Sequence, residues 1–167
     1  EDGTVKGVEI NESTIVESDI VVAALGHSAR DTFELLSQKP LNLENKAFAI
    51  GVRIEHPQEM IDASQYGADN LNKNFTAASY KLAGKTSVNR GVYSFCMCPG
   101  GYVVNASSEE KRLAVNGMSY SKRDSGVANS AIIVSVTKDD FGSSHPLAGV
   151  AFQRNLEEKT YEMGNGM

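Results

Sequence analysis

The stretch Arg90-Gly91-Val92-Tyr93-Ser94-Phe95-Cys96-Met97-Cys98-Pro99-Gly100-Gly101-Tyr102-Val103-Val104-Asn105 governs how this chain is read. Two apolar, β-prone segments meet at Cys-Pro-Gly-Gly, which predicts a hairpin over 92–104. Proline fixes its own φ and has no N–H, while the two glycines admit positive φ and let a ligand approach the backbone closely. The two cysteines of the chain, Cys96 and Cys98, stand together on the rim of this turn. A side-chain-poor corner beside two thiols points to a site. In a regular strand both thiols would face one way, with Cα atoms roughly 6.5–7 Å apart, at or beyond the usual disulfide range. The pair reads as small buried apolar residues, as a redox dithiol, or as a thiol lining close against a flat ring system. A structural zinc site wants four ligands, commonly with Cys-x-x-Cys spacing, and only His27, His56 and His145 could add to these two. No metal is expected.

Outward from that corner, residues 131–136 are a β-branched run that predicts a strand, and residues 46–56 predict another. A short strand piece over 113–115 and a loop over 116–129 separate the corner from the first of these. Residues 57–63 suit a short helix with Pro57 near its first turn, followed by a polar loop over 64–74. Residues 76–82 read as strand in preference to helix, and residues 151–163 as a helix. Toward the N-terminus, Asp2-Gly3 signals a turn and residues 1–20 suggest a small antiparallel meander. Residues 20–26 (Ile-Val-Val-Ala-Ala-Leu-Gly) are apolar on both faces, as in a strand of a doubly covered sheet. Ser28 is placed to cap the helix that follows, with Asp31 in its first turn and Pro40 enforcing its end. The expected fold class is α+β: a mostly antiparallel β body with a few helices, plus a short N-terminal piece of another sheet.

Hydrophobic residues make up 41% and charged residues 22% of the 167, enough apolar content to build a globular core. Sixteen basic against twenty-one acidic residues give a net charge of -5. That balance argues against nucleic acid as a partner. No apolar run reaches the roughly 20 residues that span a bilayer, so no membrane partner is expected. With two cysteines and no leader pattern, a cytoplasmic, reducing setting is the expectation. Opening at Glu1-Asp2-Gly3 and closing just past a helix at Gly164-Asn165-Gly166-Met167, the chain reads as an excerpt of a longer one.

Chemistry could reside at two further places. A strand ending in Leu25-Gly26-His27-Ser28 and opening a helix is the corner at which α/β sheets hold ligands, although any strand–turn–helix has one. Ser121-Lys122-Arg123-Asp124-Ser125-Gly126 is a turn-prone loop; Lys122 or Arg123 could set positive charge beside an anionic cofactor or substrate, or the loop is simply solvated. Nothing resembles a Ser-His-Asp constellation or a Gly-x-x-x-x-Gly-Lys loop.

Four segments taken together resemble one family: Asp19 through Asp31 (Asp-Ile-Val-Val-Ala-Ala-Leu-Gly-His-Ser-Ala-Arg-Asp), Ala49 through Pro57 (Ala-Ile-Gly-Val-Arg-Ile-Glu-His-Pro), Phe95 through Gly101, and Asn116 through Asp124. The chain is similar to the middle of bacterial FAD-dependent dehydrogenases, the NAD(FAD)-utilising group. The resemblance implies an FAD-dependent oxidoreductase whose FAD domain is split in sequence by an inserted substrate-side domain. Residues 1–38 would belong to the FAD domain and 39–167 to the insert. It implies that Ala24, Leu25, Gly26 and His27 lie against FAD, with Cys98, Pro99, Gly100 and Gly101 lining the substrate side of the flavin. Catalytic candidates are then Cys96, Cys98 and Arg123, with Arg53 and Lys122 as further charges for an acidic small-molecule substrate and NAD(P)H as a candidate electron donor. The chain lacks the family's Gly-x-Gly-x-x-Gly loop, so the rest of the FAD domain is its expected partner, and alone it is expected to be empty and inactive. The alternative is a ligand- or partner-binding module with no chemistry.

Overall fold

The computed structural model describes residues 3–70 and 75–166. Its strands are β1 (Gly7–Ile10), β2 (Thr14–Glu17), β3 (Phe48–Pro57), β4 (Ala83–Lys85), β5 (Gly91–Cys98), β6 (Gly101–Asn105), β7 (Val115–Ser119) and β8 (Val127–Val136). The helices are α1 (Arg30–Ser37), α2 (Gln58–Tyr66) and α3 (Ala148–Met163), with single 3-10 turns at Ala68–Asn70 and Lys138–Asp140. The fold is α+β with antiparallel sheets, in agreement with the expected class.

The body is a four-stranded sheet in the order β3-β8-β5-β4. β8 lies inside it and pairs with β3 along its whole length, from Phe48↔Val136 to Pro57↔Val127. Its Ile132, Ile133 and Val134 suit that place, since β-branched side chains pack well on a pleated surface. Asn129 and Ser130 of the same strand are fully buried. β6 and β7 form a separate two-stranded sheet. α3 is seated by an aromatic cluster in which Phe48 stacks on Phe141 with centroids 5.1 Å apart, and Phe152 approaches both.

The expected hairpin over 92–104 does not form. β5 pairs with β4 and β8, β6 pairs with β7, and the Cys98-Pro99-Gly100-Gly101 corner carries the chain from one sheet into the other. The segment predicted as a loop over 116–129 holds most of β7 and the start of β8. Both corrections share a cause: strand partners are chosen by tertiary packing, which sequence distance does not encode. The strand expected over 76–82 is also absent. The backbone N–H and C=O of Ala78 are taken by the side chains of Asp62 and Gln58, so side chains of α2 replace a strand partner there.

At the N-terminus β1 and β2 form the expected antiparallel pair, turned by Asn11 and Glu12 in left-handed conformation. Residues 20–26 are not a strand among the described residues. They lie in the open, with Ile20 79% and Val22 83% exposed, and no described strand lies beside them to accept their hydrogen bonds. Ser28 does not cap α1. Ala29 holds the N-cap position, the Ser28 carbonyl accepts from Arg30 N, and the Ser28 hydroxyl turns to His27. Asp31 does occupy the first turn and the helix stops at Ser37, ahead of Pro40. Asp2 and residues 71–74, from the expected first turn and polar loop, lie outside the described residues.

Candidate functional site

Two buried amides hold the 98–101 corner. Gly100 N donates to Gln58 Oε1 at 3.0 Å, and Asn129 Nδ2 donates to the Gly101 carbonyl at 2.8 Å. Gln58 is 5% exposed and Asn129 is fully buried, so each amide is fixed by partners rather than by water. Pro99, Gly100 and Gly101 are themselves buried. The close approach that their missing side chains allow is used within the protein. A Cβ on Gly100 would fall 2.1 Å from the Arg123 carbonyl oxygen, and one on Gly101 2.3 Å from that of Met118.

Arg53, on β3, ties this corner to the thiols. Its Nη1 donates to Asn129 Oδ1 at 2.5 Å and to the Cys96 carbonyl at 3.0 Å, and stands 3.8 Å from Cys98 Sγ. Its Nη2 reaches Asn116 Oδ1 at 3.5 Å. The guanidinium crosses from the four-stranded sheet to β7, where Gly117 leaves room for it: a Cβ there would lie 2.2 Å from Nη1. Cys96 and Cys98 are both free thiols, the first exposed and the second half-buried. The thiols do not sit on a regular strand, because β5 is bulged between Phe95 and Cys98 and Cys96 has a φ of 44°.

Across the corner lies a groove of about 1040 Å³ between α2 and the 121–126 loop, whose charged wall residues are Lys122 and Arg123 with Glu59, Asp62 and Asp124. Arg123 sits in left-handed backbone, φ 54°, on the turn closed by its N–H to the Tyr120 carbonyl. Its carbonyl is the group against which Gly100 packs, so the loop carrying both cations is registered on the buried corner. No carboxylate lies within ion-pair distance of Lys122 or Arg123 among the described residues. Asp62, by contrast, is engaged by Gln58 and by Ala78 N–H.

The other predicted positions stand apart. Ala24, Leu25, Gly26 and His27 lie on the exposed segment ahead of α1, and no described hydrogen bond joins them to the 98–101 corner. A Cβ on Gly26, where φ is 72°, would meet nothing within 4 Å. α1 itself is fastened to the body by charge. Arg30, 4% exposed, pairs with Glu109 and Glu157 and donates to Gln153. Arg154 pairs with Glu109 and Glu34, and Arg112 with Glu109 and Glu158. Hydrogen bonding from Arg154, then from Arg30, outweighs partial burial and holds the Glu109 carboxyl down at about 2. The bonds that Arg154 donates to Glu109 and, next, to Glu34 push its own guanidinium up.

The sequence reading included Arg53 and Arg123 but missed Asn129 and Gln58, the two amides that build the corner. Their one signal is an isolated polar residue beside an apolar or helical run, which many surface positions share. His56 and His145 join no metal-binding group, and among the described residues no cluster of three or more His, Cys, Asp or Glu could hold an ion.

Comparison with known proteins gives a family model over most of the chain and a relative. The family model described as FAD-dependent protein, C-terminal domain-like, matches residues 47–167, from β3 to the end of α3. An uncharacterized protein of Clostridium beijerinckii is 49% identical over 166 residues. That alignment takes in 99% of this chain and 31% of the relative, so the chain spans about a third of the relative's length.

Proposed function

The chain belongs to the family of FAD-dependent proteins defined by this C-terminal domain, and from that premise we propose that it forms the substrate-side part of an FAD-dependent oxidoreductase. The observation that carries this reading is the polar groove beside the buried corner, where Lys122 and Arg123 stand without carboxylate partners. An acidic small molecule is the substrate class those cations would hold, Arg123 by a planar fork and Lys122 as a point charge. When bound, a flavin supplies the electron chemistry, and the protein contributes orientation, exclusion of water and electrostatics.

The residues present fit the cofactor unevenly. Gly26 has open space where a Cβ would be, and Ala24, Leu25 and His27 beside it are exposed, so this edge has room for a planar ligand. Gly100 and Gly101 offer their faces to the chain's own backbone. At the corner, therefore, the Cys96 and Cys98 side chains, more than Pro99 and the glycines, are the groups left for a ring system. Residues 1–38 go with the FAD domain and 39–167 with the insert in this reading, although the α1 ion pairs hold the two together. Its remaining elements are a cytoplasmic protein with NAD(P)H as donor, the rest of the FAD domain as partner, and neither nucleic acid nor membrane. The isolated chain is empty and inactive. Among the described residues no helix is long and apolar enough to cross a membrane.

The full-length protein should purify yellow, with the absorption bands of oxidised flavin and FAD released on denaturation. A colourless preparation that cannot be reconstituted with FAD removes the oxidoreductase. It would favour a non-catalytic partner-binding module, to which the exposed apolar run at 20–25 is suited.

A further inference from the structure

Both thiols of the chain stand at the irregular step of the four-stranded sheet. β5 follows β8 residue for residue as far as Phe95↔Ala131, and the next aligned pair is Cys98↔Asn129. Three steps of one strand match two of the other. The path from Phe95 to Cys98, which takes in both thiols, is thus foreshortened along the strand axis relative to three regular steps.

Cys96 carries the distortion. Among the described residues it is the one non-glycine residue inside a strand with positive φ. Left-handed backbone costs a side chain free energy and persists where the surroundings impose it, which recurs at functional sites. Packing does not account for it, since Cys96 is exposed. Cys98 Sγ leans back over the preceding turn of chain, its S–H donating to the Cys96 carbonyl at 3.4 Å. Arg53 Nη1 bonds the same carbonyl and stands beside the same sulfur, so it holds both halves of the bulge.

We propose that Cys96 and Cys98 are a thiol–disulfide exchange site, with Cys96 the outward nucleophile and Cys98 the resolving thiol. The oxidant is a low-molecular-weight disulfide. The Cys96 thiolate attacks one of its sulfurs, that S–S bond breaks, and one thiol leaves with a proton. The Cys98 thiolate then attacks Cys96 Sγ, the mixed disulfide breaks, and the second thiol leaves with a proton. Two protein thiols become one disulfide, and the reagent disulfide becomes two thiols. Arg53 is a positioning residue. Nothing in this chemistry depends on the flavin.

The test equilibrates the full-length protein in glutathione redox buffers, quenches with N-ethylmaleimide, and weighs the tryptic peptide 91–111, which carries both cysteines. As the buffer becomes oxidising, a doubly alkylated form should give way to an unalkylated form two hydrogens lighter than the unmodified dithiol peptide. Cys98→Ser should accumulate glutathione on Cys96, whereas Cys96→Ser should react at least tenfold more slowly. Arg53→Lys should shift the half-oxidation ratio severalfold, with urea midpoints confirming that each variant is folded. A wild-type peptide that halts at the mixed disulfide, or thiols that oxidise only after unfolding in urea, overturns the proposal. Peptide mass reads out whether or not a preparation holds flavin, so this proposal and the flavin reading fail separately.

Discussion

At Gly100 a single hydrogen atom decides whether the 121–126 loop can close on the corner. Its φ of 55° disfavours any other residue, and its missing Cβ is replaced by the carbonyl of Arg123. Backbone cannot swing aside as a flexible side chain does. Gly100→Ala is therefore expected to cost about 3 kcal/mol of stability, combining left-handed strain with a steric clash. A urea midpoint indistinguishable from the parent would show that the 121–126 loop is not registered on the corner. The need for glycines here was legible in the sequence, because Pro-Gly-Gly admits few other uses. Their purpose was not. Glycines that admit a ligand and glycines that admit a neighbouring strand look alike in one dimension.

Among the elements, α1 shows how charge attaches a helix whose one buried side chain is Arg30. Its Arg30 and Glu34 meet Glu109, Arg154 and Glu157 from two other segments. Glu109 has its carboxyl lowered from 4.5 to about 2, so its contribution is fully present above the unfolded value and is lost as pH falls through about 2. Asp140, held at about 2 chiefly by Arg90 and next by Thr137 N–H, titrates in the same window. The urea midpoint should stay level down to about pH 4.5 as far as these two groups decide it, then decline toward pH 2. Glu109→Gln should lower stability near neutrality by about 2 kcal/mol, the scale of hydrogen bonds to charged groups, and flatten part of the acid decline. An unchanged acid limb in that variant would assign the decline elsewhere. The helices were legible from their periodicity and from Pro40 and Pro57. The clamp was not, since its charges lie as far as 127 residues apart.

For the whole molecule the accessible surface is 12306 Å², against roughly 8000 Å² for a compact monomer of this mass. The excess is partly apolar and concentrated early in the chain, where Ile15, Ile20 and Val22 are 71–83% exposed. Apolar area of that extent is ordinarily covered. The chain on its own should self-associate, its weight-average mass in light scattering rising with concentration. Replacing Ile20 and Val22 together by Glu should suppress that rise without moving the urea midpoint. Concentration-independent scattering by the parent chain would mean that the run folds onto the body in solution.

What the sequence by itself determined is local and periodic: three helices near their expected places, β-branched runs as strands, a glycine corner, and an antiparallel α+β class. These follow from steric and hydrophobic preferences that act over a few residues. Only the tertiary structure decided that β5 and β6 part company at Pro99, that Asn129 and Gln58 hold the corner, and that Arg53 stands over both cysteines. Those outcomes depend on which distant segment supplies each hydrogen-bond partner, and a buried donor or acceptor accepts whichever group the packing brings within about 3 Å.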